Sequence, residues 1–94
     1  MILVLRSAPG TERARAGIRV AAESVADIVL RGPEAARHAR RDGLRGFCGT
    51  AFVLAADLEA TGLAQSECDS GLKIVNEAEM ARILSDPEGV KGEY

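Results

Sequence analysis

The sequence predicts a single α/β domain, a small three-layer α/β/α sandwich around a four-stranded parallel sheet. Three observations carry that prediction. The stretch Thr50-Ala-Phe-Val-Leu-Ala-Ala-Asp-Leu-Glu-Ala-Thr-Gly-Leu63 changes hydrophobic period in mid-course, from an unbroken apolar run to a helical pattern. A buried strand running straight into a helix is half of a βαβ unit, which commits the sheet to parallel pairing. Short apolar runs and helical stretches then alternate along the rest of the chain. Finally, 94 residues bury roughly 60–70% of their unfolded surface and cannot be divided between two cores.

Taken in order, Ile2 to Leu5 is an apolar run that stops at Arg6-Ser7-Ala8-Pro9-Gly10, a first strand followed by a tight loop. Thr11 is placed to cap the first helix. Ala14, Gly17, Ile18, Ala21 and Ala22 recur there at helical spacing, with Arg13, Arg15 and Arg19 outward, so the helix is predicted to run to about Glu23. Asp27 to Leu30 forms the second strand. Arg31-Gly32-Pro33 breaks it, and Pro33 suits the first position of a second helix continuing from Glu34 to about Arg41, before the polar loop at Asp42-Gly43.

The third strand is Ala51 to Ala55, where Phe52 and Val53 favour extended backbone. From Ala56 the third helix begins, with Asp57 and Glu59 in its first turn and Gly62 placed to end it. Leu72 to Val75 is the fourth strand. Asn76 caps a last helix in which Met80, Ile83 and Leu84 face inward. Four strands in strict alternation with four helices, joined by right-handed crossovers, are most economically arranged in the order 2-1-3-4 with helices on both faces.

Composition bounds the function. Only Phe47, Phe52 and Tyr94 are aromatic, so aliphatic side chains and many alanines must fill the core. The net charge of -2 hides an asymmetry: residues 1–46 hold nine basic and five acidic side chains, residues 47–94 three and nine. A net acidic chain is a poor general nucleic-acid binder, whereas a dipolar surface suits docking with another protein. Met1 to Leu5 is far shorter than the apolar core of a signal peptide, and no apolar run is long enough to span a membrane. A cytoplasmic protein is therefore expected. Cys48 and Cys68 are twenty residues apart without a CxxC motif or a histidine pair, so free thiols are expected, with no metal and no cofactor.

In an open parallel sheet, reactive groups collect beyond the carboxyl ends of the strands. That rule singles out Arg6, Ser7, Gly10 and Arg31 as candidate anion ligands around the opening of the first helix, and Asp57 and Asn76 as candidates at the strand ends. His38, between Arg37 and Arg40 on the predicted second helix, reads as a solvated surface histidine. For thiol chemistry Cys48 is the stronger candidate, because Arg45 lies three residues upstream, whereas Glu67 and Asp69 flank Cys68 and oppose a thiolate. Both cysteines precede strands and are expected at one pole of the sheet.

Several of these stretches resemble a known family, the small sulfur-relay subunits called TusB or DsrH within the DsrE-like superfamily. Phe52-Val-Leu-Ala-Ala-Asp-Leu-Glu-Ala-Thr-Gly-Leu63 is similar to that family's strand followed by a "DL-x-A-R-G" segment, with Thr61 where arginine is usual. Asp27-Ile-Val-Leu-Arg-Gly-Pro-Glu-Ala-Ala36 is similar to its strand ending in "DG" before a helix with paired alanines, and Tyr94 lies near the place of a terminal tryptophan. The resemblance spans most of the chain. It implies a subunit of a cytoplasmic assembly that passes sulfur as cysteine persulfide, toward 2-thiouridine in tRNA or in oxidative sulfur metabolism. It also implies partners of the DsrE/DsrF or TusC/TusD kind and a homo- or hetero-oligomer. Some relatives carry a cysteine in the first helix, where this chain has Ala16, Gly17 and Ile18. Two functions follow as expectations: a non-catalytic assembly subunit, or a thiol sulfurtransferase carrying persulfide on Cys48.

Overall fold

Every apolar run of four residues becomes a strand, and the direction in which the chain winds then decides which face each helix covers. The computed structural model describes residues 1–94. It comprises β1 (Ile2–Leu5), α1 (Glu12–Ser24), β2 (Asp27–Leu30), α2 (Gly32–Ala36), β3 (Ala51–Leu54), α3 (Ala55–Thr61), β4 (Leu72–Val75), α4 (Glu77–Leu84) and β5 (Val90–Glu93). All neighbouring strands pair in parallel. The sheet has five strands in the order β4-β3-β2-β1-β5, which corrects both the expected count of four and the expected order 2-1-3-4.

The physical reason lies in β1 and β5. All four residues of β1 are buried, so that strand needs a neighbour on each side. With only four strands counted, β3 is the natural second neighbour. The fifth strand takes that place and leaves β3 free to pair with β2. Its sequence, Val-Lys-Gly-Glu, has one apolar residue and an interior glycine, and no residue in it is buried. Polar edge strands of this kind carry almost no period-2 signal.

Winding from β1 to β4 in one direction with right-handed crossovers puts three helices on the same face. One core accordingly gathers Ala14 and Ala21 of α1, Ala35 and Ala36 of α2 and Leu58 of α3 against Leu3, Leu5, Ile28, Leu30 and Val53. The return from β4 to the far side of β1 reverses the direction. α4 therefore crosses the opposite face alone, packing Met80, Ile83 and Leu84 on Ile2, Val4, Val29, Leu54 and Val75.

Local capping follows the sequence closely. The Thr11 hydroxyl accepts the Ala14 N–H at 3.2 Å, and Asn76 with Glu79 closes a reciprocal capping box at 2.8 and 3.0 Å. Gly62 ends α3 in the left-handed region at φ 75°. Val25 ends α1 in the same region at φ 55°, a conformation that strains a β-branched residue, with its side chain 91% exposed.

α2 is shorter than expected. It gives way after Ala36 to a 3-10 turn over Arg37–Ala39 rather than continuing to Arg41.

Candidate functional site

At the carboxyl ends of the strands, most of the expected ligands are committed to holding the fold together. The Arg6 guanidinium lies 3.4 Å from the Glu93 carboxylate, both side chains being well exposed. The Ser7 hydroxyl donates to the Tyr94 carbonyl at 2.9 Å, and the Arg6 and Ser7 N–H groups donate to the same oxygen at 3.1 and 3.2 Å. These bonds tie the β1–α1 loop to the end of β5. Gly10 adopts φ 88°, and its carbonyl accepts from Arg15 at 3.0 Å. Arg31 is half-buried at the end of β2, with its N–H on the Leu5 carbonyl.

The observed strand order also moves the switch point. Connections leave for opposite faces between β3, which feeds α3, and β4, which feeds α4. Asp57 and Asn76 flank that point, yet Asp57 accepts the Gly32 N–H at 3.0 Å and Asn76 caps α4. Their polar atoms stabilise the ends of two elements.

The two thiols are free, and they precede β3 and β4, adjacent parallel strands. Cys68 is buried, with its thiol 3.5 Å from the Ala64 carbonyl. Cys48 is exposed and borders a cavity of about 140 Å³ that is also lined by His38, Leu44, Phe47 and Asp69. No guanidinium lines that cavity; Arg45 opens on a different one, beside Cys68. A brief iodoacetamide pulse on the native protein is expected to alkylate Cys48 and spare Cys68. Protection should be a factor on the order of 100, the equivalent of a local opening free energy of about 3 kcal/mol. Equal labelling of the two before urea is added would contradict the burial of Cys68.

His38 is not the solvated surface histidine that its arginine neighbours indicate. It is 2% exposed, with Nε2 3.0 Å from the Ser7 carbonyl and Nδ1 3.3 Å from the Gly43 carbonyl. A neutral imidazole can donate to one of these carbonyls and an imidazolium to both. Both ring nitrogens face backbone carbonyls, and neither is hydrogen-bonded to the Cys48 thiol. Its signal was present in the sequence, because His38 falls on the same helical stripe as Ala35 and Ala39, both fully buried. No known family model, curated protein or solved structure matches the chain.

The opposite stripe was missed altogether. Arg37, Arg40 and Arg41 are spaced i, i+3, i+4 and read as a solvated helix face. In the structure they stand along an open cleft of about 590 Å³, facing Ala8 and Pro9 of the β1–α1 loop and Leu63 beyond α3. None of the three forms an ion pair with an acidic side chain. Asp42 is the one acid in the lining, so the cleft carries two net positive charges.

Proposed function

We propose that this chain is an assembly subunit of a cytoplasmic sulfur-relay complex of the TusB or DsrH kind, passing no sulfur itself. Persulfide transfer requires a thiolate to attack a sulfane sulfur, so a carrier cysteine needs exposure and a nearby cation or base. The observation that carries the reading is the setting of the two thiols. Cys68 is buried, no guanidinium lines the Cys48 cavity, and the histidine beside it turns both ring nitrogens toward backbone carbonyls.

Open sheet margins support the same reading. Ile74 on edge strand β4 and Val90 on edge strand β5 are 44% and 42% exposed, and α4 alone covers the second face of the sheet. A sheet this small gains by burying such edges against a neighbour. The segment that carries the resemblance, Phe52 to Leu63, lies on β3 and α3 with Gly62 as the left-handed cap. The partners on this reading are related α/β subunits of the DsrE/DsrF or TusC/TusD kind. The cargo sulfur goes toward tRNA thiolation or belongs to sulfur oxidation.

One observation favours the alternative, a sulfurtransferase working through Cys48: that thiol is exposed at the mouth of a cavity. Intact-mass measurement after incubation with a persulfide donor separates the two. The chain is expected to gain no sulfur atom on its own and to bind DsrE-like subunits in sedimentation, more weakly as salt rises because complementary charge steers the encounter. A gain of one sulfur that disappears in Cys48→Ser would establish the alternative. A monomer at every ionic strength, with no binding to such subunits, would remove the assembly role.

A further inference from the structure

We propose that the cleft between the β1–α1 loop and the Arg37–Gly43 segment binds a small phosphorylated molecule, with its phosphoryl group held by Arg37, Arg40 and Arg41. The inference is independent of the sulfur-relay reading. It begins with charge. Three guanidinium groups brought to one cleft repel one another, and the lining supplies only Asp42 in return. A phosphomonoester carries about 1.5 to 2 negative charges near neutral pH and matches the remaining two positive charges. Guanidinium forks also fit the oxygen geometry of phosphate, with five donors each.

Shape adds to charge. The volume, about 590 Å³, exceeds what a bare ion occupies and falls in the range of small-molecule sites, about 300–1,000 Å³. Ala8, Pro9 and Leu63 line the cleft beside the arginines and offer apolar surface to the organic part of a ligand.

The cationic wall is also held in place before any ligand arrives. The Arg41 N–H donates to the Glu67 carbonyl and the Asp69 N–H to the Ala39 carbonyl, each at 2.9 Å, and Arg41 Nη2 donates to the Ser66 carbonyl at 2.7 Å. Buried His38 then bridges this wall to the opposite one, with one ring nitrogen on Gly43 and the other on Ser7. The imidazole sets the spacing of the two walls. Arg37 and Arg40 are exposed and make no side-chain hydrogen bond within the chain, so their donors are open to a ligand. Preorganised donors of this kind lower the ordering cost of binding.

The test is calorimetric titration of the full chain, at fixed low salt, with ribose 5-phosphate, ribose, inorganic phosphate and a short single-stranded RNA. Ribose 5-phosphate is expected to bind more tightly than the other three. It should move the backbone amide resonances of Ala8, Arg40 and Gly43, which locates the site without any mutation. Arg37→Gln and Arg40→Gln should each weaken it by about tenfold, the worth of one charge-assisted hydrogen bond. Arg19→Gln, on the exposed side of α1, should leave it unchanged. Absence of binding, equal binding of ribose, or full affinity in the double variant would overturn the proposal. Inorganic phosphate binding as tightly as the sugar phosphate would reduce the cleft to an adventitious ion only, and tighter binding of RNA would reassign it to a nucleic-acid backbone.

Discussion

Truncating Ile28 to alanine is expected to destabilise the protein by about 2–5 kcal/mol, the range for losing most of a buried aliphatic side chain from a core that cannot fully collapse. Ile28 is fully buried, and it lies on β2, the middle strand of the five. Its neighbours across the sheet are Leu3 on β1 and Ala51 on β3. Above it α1, α2 and α3 supply mainly alanines, which have little reach to refill a hole. A domain of this length has a total stability of about 5–14 kcal/mol, so the substitution removes a large share of it. Val90→Ala, on the exposed edge strand β5, should cost under about 1 kcal/mol because little apolar area is lost there. Urea midpoints of the two variants measure the difference. A loss below about 1 kcal/mol for Ile28→Ala would mean that β2 is not the central strand.

Gly43→Ala is expected to cost about 2–3 kcal/mol, although it adds a single methyl group to a loop. The added carbon would overlap the His38 carbonyl oxygen, and it would lie 2.8 Å from the His38 carbonyl carbon and 2.9 Å from the Arg40 carbonyl oxygen. These are backbone atoms, which cannot swing aside as the tip of a side chain does. Gly43 also donates to the Arg40 carbonyl at 2.8 Å and receives His38 Nδ1 at 3.3 Å, so any displacement loosens the imidazole bridge between the cleft walls. The same variant should therefore bind ribose 5-phosphate more weakly. Denaturation in urea and titration of the purified variant check both effects, and a stability within about 0.5 kcal/mol of the parent would show that the loop yields at little cost.

These two positions mark what was legible in the chain and what was not. β1, β2 and β4 begin and end where their residue patterns place them, and the caps at Thr11, Gly62 and Asn76 stand where their side chains or missing Cβ require them. Such signals are local. An apolar run, a hydroxyl before a helix and a glycine after it act within a few residues, and tertiary context does not need to be known to read them. The candidate site was less legible. Asp57, Asn76, Ser7 and Arg6 were picked for their place at the strand ends, and their place is as expected, but each hydrogen-bonds another part of the backbone or an acidic side chain. Which partner a polar side chain meets is a long-range fact, and no spacing rule contains it.

By itself, then, the sequence determined the α/β class, the succession of four strands and four helices, and the parallel direction of the sheet, because period and capping are properties of neighbouring residues. Only the tertiary structure decided the strand order, the lopsided distribution of helices and the cleft. A strand such as β5, Val-Lys-Gly-Glu, is extended because β1 offers it unpaired N–H and carbonyl groups along an open edge, and nothing within its own four residues demands that conformation. Arg37, Arg40 and Arg41 likewise form one wall of a cleft only because Ser7 and Gly43, thirty-one and five residues away from His38 in opposite directions along the chain, converge on the same buried ring.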